Sequence, residues 1–296
     1  MVLMDEYLSF DVGGTTIKTA IINDNFELSE HEVFPTNHNQ NNYILNKIIE
    51  IIIKKSKKHS FKGIGVSTGG IVDPQSGTIL YAGPTIPNYK GTPLKTEIEK
   101  RTHIKANIVN DVNAALLGEY INGNARGYES VYCIALGTGI GGAFMEHEHL
   151  YYGAFNQANS IGYMMYDPQT KTNFEQRAST LALERLLRDK FGIPPKQAFI
   201  EGSKDPQGPI QKTIDHWIND LGSVIANIIL LLDPELILIG GAVSQQENRL
   251  IKPLKNATLC YLPPDFMKTT INFATLHNNA ALYGALFPFI NREMES

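Results

Sequence analysis

Cysteine is almost missing from this chain: among 296 residues only Cys133 and Cys260 occur. Neither has a partner at metal-ligand spacing, and Cys133 lies in "VYCIAL", which reads as a buried strand. Two reduced thiols are expected, which leaves no disulfide framework and no thiolate metal centre. A charge surplus is missing too. Net charge is −4, from 26 basic and 30 acidic residues, and their interspersion leaves no electrostatic footprint for a polyanion, so nucleic acid is not an expected partner. No apolar run is long enough to span a bilayer, and no secretory h-region opens the sequence. A cytoplasmic protein without a membrane partner is expected. The one basic cluster, Lys54, Lys55, Lys57 and Lys58, follows "YILNKIIEIII". There Ile44, Ile48, Ile51 and Ile52 recur at helical spacing, and the lysines are expected to solvate the helix end and complement its dipole.

What the chain does hold is apolar residues, 43% of the total, enough for one large or two medium domains. "YLSFDVGGT" ends a strand, "KTAIIND" and "NFELSE" give two more around an Asn-Asp turn, and "FKGIGVSTGG" supplies another. "THIKANIVND" then runs a strand into the helix "DVNAALLGEYING", with Ala114, Leu117 and Ile121 on one face. Such a strand-to-helix junction is a natural place for chemistry. "SVYCIALGTGIGGAFM" repeats the opening grammar of β-branched run, glycine turn and returning strand. Trp217, Leu221, Val224, Ile225, Ile228, Ile229 and Leu232 predict a buried helix that stops at "DP" before the strand "LILIGG". Two related α/β halves facing one another over a cleft are expected. "NHNQNN", 37–42, and "KDPQGP", 204–209, read as polar surface loops.

A phosphate chain needs several backbone N–H donors converging on it, and glycine lets the backbone approach without an intervening Cβ. Gly13 with Gly14, and Gly139 with Gly141 and Gly142, have that character. Thr15, Thr16 and Thr138 add hydroxyl donors, and Asp11 at a strand end suits the hydration shell of Mg²⁺. One such turn alone reads as a plain hairpin. Two threonine-bearing turns, with a third glycine pair at Gly240 and Gly241, point to a nucleotide.

"DVGGTTIK", "GVSTGGIVDPQSG", "IVNDVNAALLGE", "LGTGIGGA", "LILIGGAVS" and "NNAALYGA" stand in the order found in the ROK family of sugar kinases and repressors. The resemblance runs from Asp11 to Ala285. It implies an α/β fold of the actin-like ATPase (ribonuclease H-like) class: a small lobe of residues 1–113 with a C-terminal helix 280–296, and a large lobe of 114–279. By the same resemblance Asp111 is the catalytic base, although an Asn-Asp pair at that place could also simply cap the helix starting at Val112. ATP with Mg²⁺ is implied at Asp11, Gly13, Gly14, Thr15, Thr16, Lys18, Thr138, Gly139, Gly240 and Gly241. The sugar is implied at Gly70, Asn110, Asn156 and Glu175, with Ser160 and Tyr163 as further candidates, and the oligomer is implied to be a homodimer.

The departures are informative. Where most of the family has Glu-x-Gly-His this chain reads "SIGYM", with Ser160 for the glutamate and Tyr163 for the histidine, and the zinc-binding cysteine loop that follows is replaced by "YDPQTKTNFEQRAS". A zinc-dependent sugar site is excluded by ligand count. "VSTGG" resembles the "STG" stretch of N-acetylmannosamine kinases, whereas glucokinases of the family usually read Thr/Ala-Pro-Gly there and place Asn where Thr85 stands, and the whole chain resembles the zinc-less N-acetylmannosamine kinases of Gram-positive bacteria. Phosphorylation of N-acetylmannosamine at its 6-hydroxyl is therefore expected, with β-glucoside kinase or glucokinase as alternatives. A ROK repressor carries a winged helix-turn-helix ahead of the first phosphate loop, for which Asp11 comes too early. A catalytically dead sugar-binding module would be expected to lose Asp111 or a glycine loop, and both are present.

Overall fold

The computed structural model describes residues 4–241 and 247–294. Its chain divides into two units: the first takes in the described residues up to Arg126, 152–158 and those from Asn278 onward, and the second takes in 127–151 and the described residues of 159–277.

In the first unit β1 (Glu6–Val12), β2 (Thr16–Asn23) and β3 (Leu28–Pro35) form an antiparallel meander. Helix α1 (Tyr43–Lys55) carries the chain to β4 (Phe61–Thr68), which runs parallel to β1. A small hairpin of β5 (Ile71–Val72) and β6 (Ile79–Tyr81) and then α2 (Leu94–Thr102) precede β7 (Ala106–Asn110), which extends the sheet to the order β3-β2-β1-β4-β7. Helix α3 (Asp111–Asn122) leaves β7 without a connecting residue. Successive side chains of a strand face opposite ways, and this assigns the faces here. Leu8, Phe10 and Val12 share a core with Ile44, Ile48 and Ile52 of α1, while Tyr7, Ser9 and Asp11 belong to the opposite face.

The second unit repeats the plan. Strands β8 (Ser130–Leu136), β9 (Ile140–Glu146) and β10 (His149–Leu150) are antiparallel. Helices α4 (Phe174–Ala178), α5 (Thr180–Phe191), α6 (Pro195–Lys204) and α7 (Pro209–Leu232) follow, then β11 (Leu236–Gly241), α8 (Glu247–Leu259) and β12 (Thr270–Phe273). The sheet order is β10-β9-β8-β11-β12, with β11 parallel to both β8 and β12. Trp217, Leu221, Val224 and Ile225 of α7 join Ile134, Ile237 and Ile239 in one core.

The chain then returns to the first unit in α9 (Ala280–Gly284) and α10 (Phe287–Met294), where the family resemblance implies one helix over 280–296. Pro288 lacks the N–H that a continuous helix would donate to Gly284, Phe289 N–H donates to Leu286 O rather than to Ala285 O, and Ala285 O accepts from Asn107 Nδ2 at 2.9 Å. Helix α9 lies on the Ser9 face, with Ser9 Oγ donating to Leu282 O at 2.6 Å. It crosses α3 closely enough that a Cβ on Gly118 would strike Ala280 O, and one on Gly284 would strike Ala114 O.

Two local expectations are corrected. "NHNQNN" is not simply a surface loop: Asn39 is buried, its Nδ2 donates to Pro87 O (3.3 Å) and Asn88 O (3.2 Å), and its Oδ1 accepts from Ile44 N. Lys55 does more than solvate the end of α1. Its ammonium is buried between Glu30 and Glu32 of β3, 2.7 Å from each, because the last turn of α1 packs against that strand edge. Burial alone would lower the Lys55 pKa, but the two carboxylates outweigh it and raise the pKa overall.

Candidate active site

The β1–β2 turn gathers most of the predicted nucleotide residues of the first unit. Asp11 is the last residue of β1 on the Ser9 face, and its carboxylate is held by Lys18 Nζ (3.0 Å, to Oδ2) and Ser67 Oγ (3.2 Å, to Oδ1). Both partners follow from pairing, since Asp11 stands opposite Lys18 on β2 and opposite Ser67 on β4. The turn closes through Gly13 N–H to Thr16 O at 2.9 Å. Thr36, at the end of β3, fastens it from outside, donating N–H to Thr15 O and Oγ1 to Gly14 O, each at 2.9 Å.

The β8–β9 turn of the second unit has the same form. Gly137 N–H donates to Gly139 O at 2.9 Å, and Gly240 and Gly241 of β11 pair beside it with Ala135 and Leu136. Gly241 has φ +95 and no room for a Cβ against Leu136 O, so glycine is required there. Neither turn is closed off by its own bonding: among the described residues the N–H groups of Gly14, Thr15, Thr138 and Gly139 make no hydrogen bond. Unclaimed amides on glycine-threonine turns suit phosphate oxygens, and an acidic side chain next to them suits a hydrated Mg²⁺.

Asp111 opens α3. The N-cap is Asn110, whose Oδ1 accepts from Val112 N (3.0 Å) and Asn113 N (3.2 Å). Asn110 Nδ2 donates to Gly70 O at 2.8 Å and to Asp111 Oδ1 at 2.9 Å. The capping function thus falls to Asn110 and leaves the Asp111 carboxylate turned outward, accepting from Val112 N at 2.9 Å. Asp111 reaches solvent, yet the surrounding protein desolvates its charged form, and the negative charge of Asp11 adds to this. Together they raise its pKa to about 6. Gly69 lies alongside, where a Cβ would stand 3.8 Å from Asp111 Oδ2. The "STGG" stretch, Asn110 and Asp111 therefore form one cluster, with Gly70 in a left-handed conformation (φ +103) that leaves a Cβ no room against Tyr81 O.

The loop between β6 and α2 completes that neighbourhood, and sequence reasoning missed most of it. Thr85 closes on Gly14, where a Cβ would stand 3.0 Å from Thr85 Cβ, and Ile86 closes on Gly69. Tyr89 fixes the loop by a buried hydroxyl pair with Thr68 at 3.0 Å, while Asn39 fixes it from the other side. The only local signal was the polar character of 37–42, which does not distinguish a buried anchor from a solvated asparagine.

The remaining sugar candidates are placed as follows. Asn156, left-handed at φ +56, stands on the 152–158 segment of the first unit. In the second unit exposed Ser160 precedes a 3-10 turn, Ile161–Tyr163, that ends on exposed Tyr163. Glu175, in the first turn of α4, is half-buried and faces the β8–β9 turn. Its Oε2 accepts from Ile140 N at 2.8 Å and packs where a Cβ of Gly139 would go. Between Ser160 and Ser179 there is no cysteine and no histidine, so the donor set does not fit zinc.

Residues 7–291 match the ROK family. The chain belongs to the ROK family. Its architecture is the actin-like ATPase fold of ROK sugar kinases. This ROK protein is 32% identical over 292 residues to an uncharacterized protein of Clostridium perfringens, across 97% of this chain and 98% of that one. It is 26% identical over 302 residues to a glucokinase of Thermotoga maritima, across 94% of this chain and 95% of the glucokinase. Among solved structures, a Listeria monocytogenes protein proposed to be an N-acetylmannosamine kinase matches with a TM-score of 0.84 at 26% identity, covering 97% of this chain and 99% of that one. No helix among the described residues is long and apolar enough to cross a membrane.

Proposed function

We propose that this ROK protein is an ATP-dependent sugar kinase that phosphorylates the 6-hydroxyl of N-acetylmannosamine. The observation that carries the kinase reading is Asp111, an outward carboxylate at the start of α3 with its pKa raised to about 6. Such a group is mostly ionised at neutral pH and is a stronger base than an ordinary aspartate. Asp111 takes the proton of the sugar hydroxyl as that oxygen bonds to the γ-phosphorus and the bond from phosphorus to the bridging oxygen breaks. ATP supplies the phosphoryl group, and Asp11 would hold a hydrated Mg²⁺, whose chemistry there would be to neutralise phosphate charge. Free amides on a glycine-threonine turn suit the orientation of phosphates, and Lys18 adds a positive charge beside Asp11.

The choice of sugar rests on Ser160 and the "STGG" stretch. A serine is shorter than the family's glutamate and uncharged, which vacates space for the axial N-acetyl group and lets a hydroxyl or a water serve its amide. Tyr163 offers an apolar ring with a polar tip where relatives have a metal-bound histidine. The test is a coupled ADP-release assay with Mg²⁺ and without zinc, using N-acetylmannosamine, N-acetylglucosamine, glucose and cellobiose at equal concentration. N-acetylmannosamine is expected to give the highest kcat/KM. Fastest turnover of glucose or cellobiose overturns the sugar assignment alone, and no ADP release with any of the four overturns the kinase reading.

A further inference from the structure

Residues 164–173, "MMYDPQTKTN", form a loop directly after Tyr163. It has little apolar anchoring of its own: Met165 is 43% and Tyr166 62% exposed, and only Met164 packs against the core. Its order comes from polar bonds. Asp167 N–H donates to Thr172 O at 2.8 Å, the Asp167 carboxylate accepts from Gln169 N (2.8 Å) and Thr170 Oγ1 (2.7 Å), and Phe174 N–H donates to Met164 O at 3.0 Å. Both sides of the loop meet at one side chain. Arg177 Nη2 donates to Met165 O at 2.6 Å, while Nη1 donates to Thr172 O at 2.7 Å and Thr172 Oγ1 at 3.0 Å.

Arg177 can do this because its base is fixed. Helix α4 starts with a capping box between Asn173 and Gln176, buries Phe174 and Ala178, and is tied to α7 by Trp217 Nε1 donating to Ala178 O at 2.8 Å. The guanidinium is planar, always charged, and carries five donors in a fixed fork. We propose that Arg177 is a positioning residue: its guanidinium clamps the two sides of the 164–173 loop and thereby fixes Tyr163, two residues from Met165, for the sugar. An arginine cross-link to main-chain carbonyls does here, on a segment with no thiol or imidazole, the ordering that a metal ion performs in loops built of such ligands. The sugar part of this inference rests on the function proposed above.

The test uses the full chain with Arg177→Ala and Arg177→Lys, reading amide exchange over 164–174 together with KM for sugar and for ATP. In Arg177→Ala the Asp167 and Phe174 amides should exchange at least about ten-fold faster. Sugar KM should rise about ten-fold with ATP KM changed less than about two-fold, and added guanidinium ion should recover part of the loss. Arg177→Lys, a point charge without the fork, should fall between, and it carries the same readouts if the alanine variant does not fold. Unchanged exchange in this segment overturns the clamp. Faster exchange with both KM values unmoved, or with both raised equally, overturns the positioning of Tyr163. If the parent turns over no sugar at all, the kinase reading fails by itself and amide exchange still decides the clamp.

Discussion

The β1–β2 turn of the first unit and the β8–β9 turn of the second occupy the same place in the same strand order, an antiparallel meander followed by two parallel strands. Each is a glycine-threonine turn with free amides. They differ in how the acidic group is delivered. In the first, Asp11 lies in the strand itself and is bound by Lys18 and Ser67, residues directly opposite it in the sheet. In the second, Glu175 comes from a helix 35 residues after Ile140, whose N–H it accepts. Repeated topology supplies the backbone frame twice, while side-chain chemistry is installed separately in each copy. The first copy also carries Asp111, raised towards neutrality in part by the charge of Asp11.

The most severe break in this comparison is Asp111→Asn, which should lower kcat by at least about 10²-fold with ATP affinity almost unchanged. Turnover within a few-fold of the parent would remove Asp111 as the base. Next are the turns themselves. A Cβ on Gly13 meets only ordinary contact and one on Gly137 meets nothing within 4 Å, so Gly13→Ala and Gly137→Ala should each keep the parent Tm while raising ATP KM about ten-fold. These are cleaner than substitutions at Gly14 or Gly139, where a larger side chain would displace Thr85 or Glu175. An effect in only one of the two would show that the turns are not equivalent.

Glu175 sharpens the contrast further. Glu175→Gln retains an oxygen for Ile140 N–H and should change ATP KM less than about three-fold, while Glu175→Ala leaves that donor unmatched and should raise it about three- to ten-fold. A rise in sugar KM with Glu175→Gln, at constant ATP KM, would instead identify direct contact between the carboxylate and sugar. The smallest effects are those of pH. The acidic limb of kcat/KM should have its midpoint near 6, and Asp11→Asn should move that limb to lower pH by removing a neighbouring negative charge. Because the folded pKa of Asp111 lies above its ordinary 3.8, its contribution to stability is complete below that value and is lost as pH rises through about 6. Asp111→Asn should therefore melt slightly higher than the parent at pH 8, by no more than about 3 °C because solvent screens so accessible a group. The two should melt together below 3.8.

The strands flanking both turns, α1, α3 and α7 were legible because periodic apolar residues dictate which face each element buries, and periodicity is a local property. The Asn110 cap was partly legible, as a residue type at a strand-to-helix junction. Asn39, Lys55 and Arg177 were not, because each bonds main chain or carboxylates on another segment, and a polar side chain in a polar stretch carries no mark of its distant partner. Gly118 and Gly284 are a similar case. The second belongs to the motif "NNAALYGA", but only packing reveals that both glycines let α3 and α9 approach to backbone contact.

By itself the sequence determined the strand-turn-strand units, the glycines that free their amides, and the carboxylate at the start of α3, since these depend on residue type and spacing along a short stretch. The tertiary structure alone decided that Asp11 stands near enough to raise Asp111 and that Glu175 reaches the second turn. It also decided that Arg177 holds the loop after Tyr163. Electrostatic shifts and hydrogen bonds act over a few ångströms of space, and only folding turns separation along the chain into that distance.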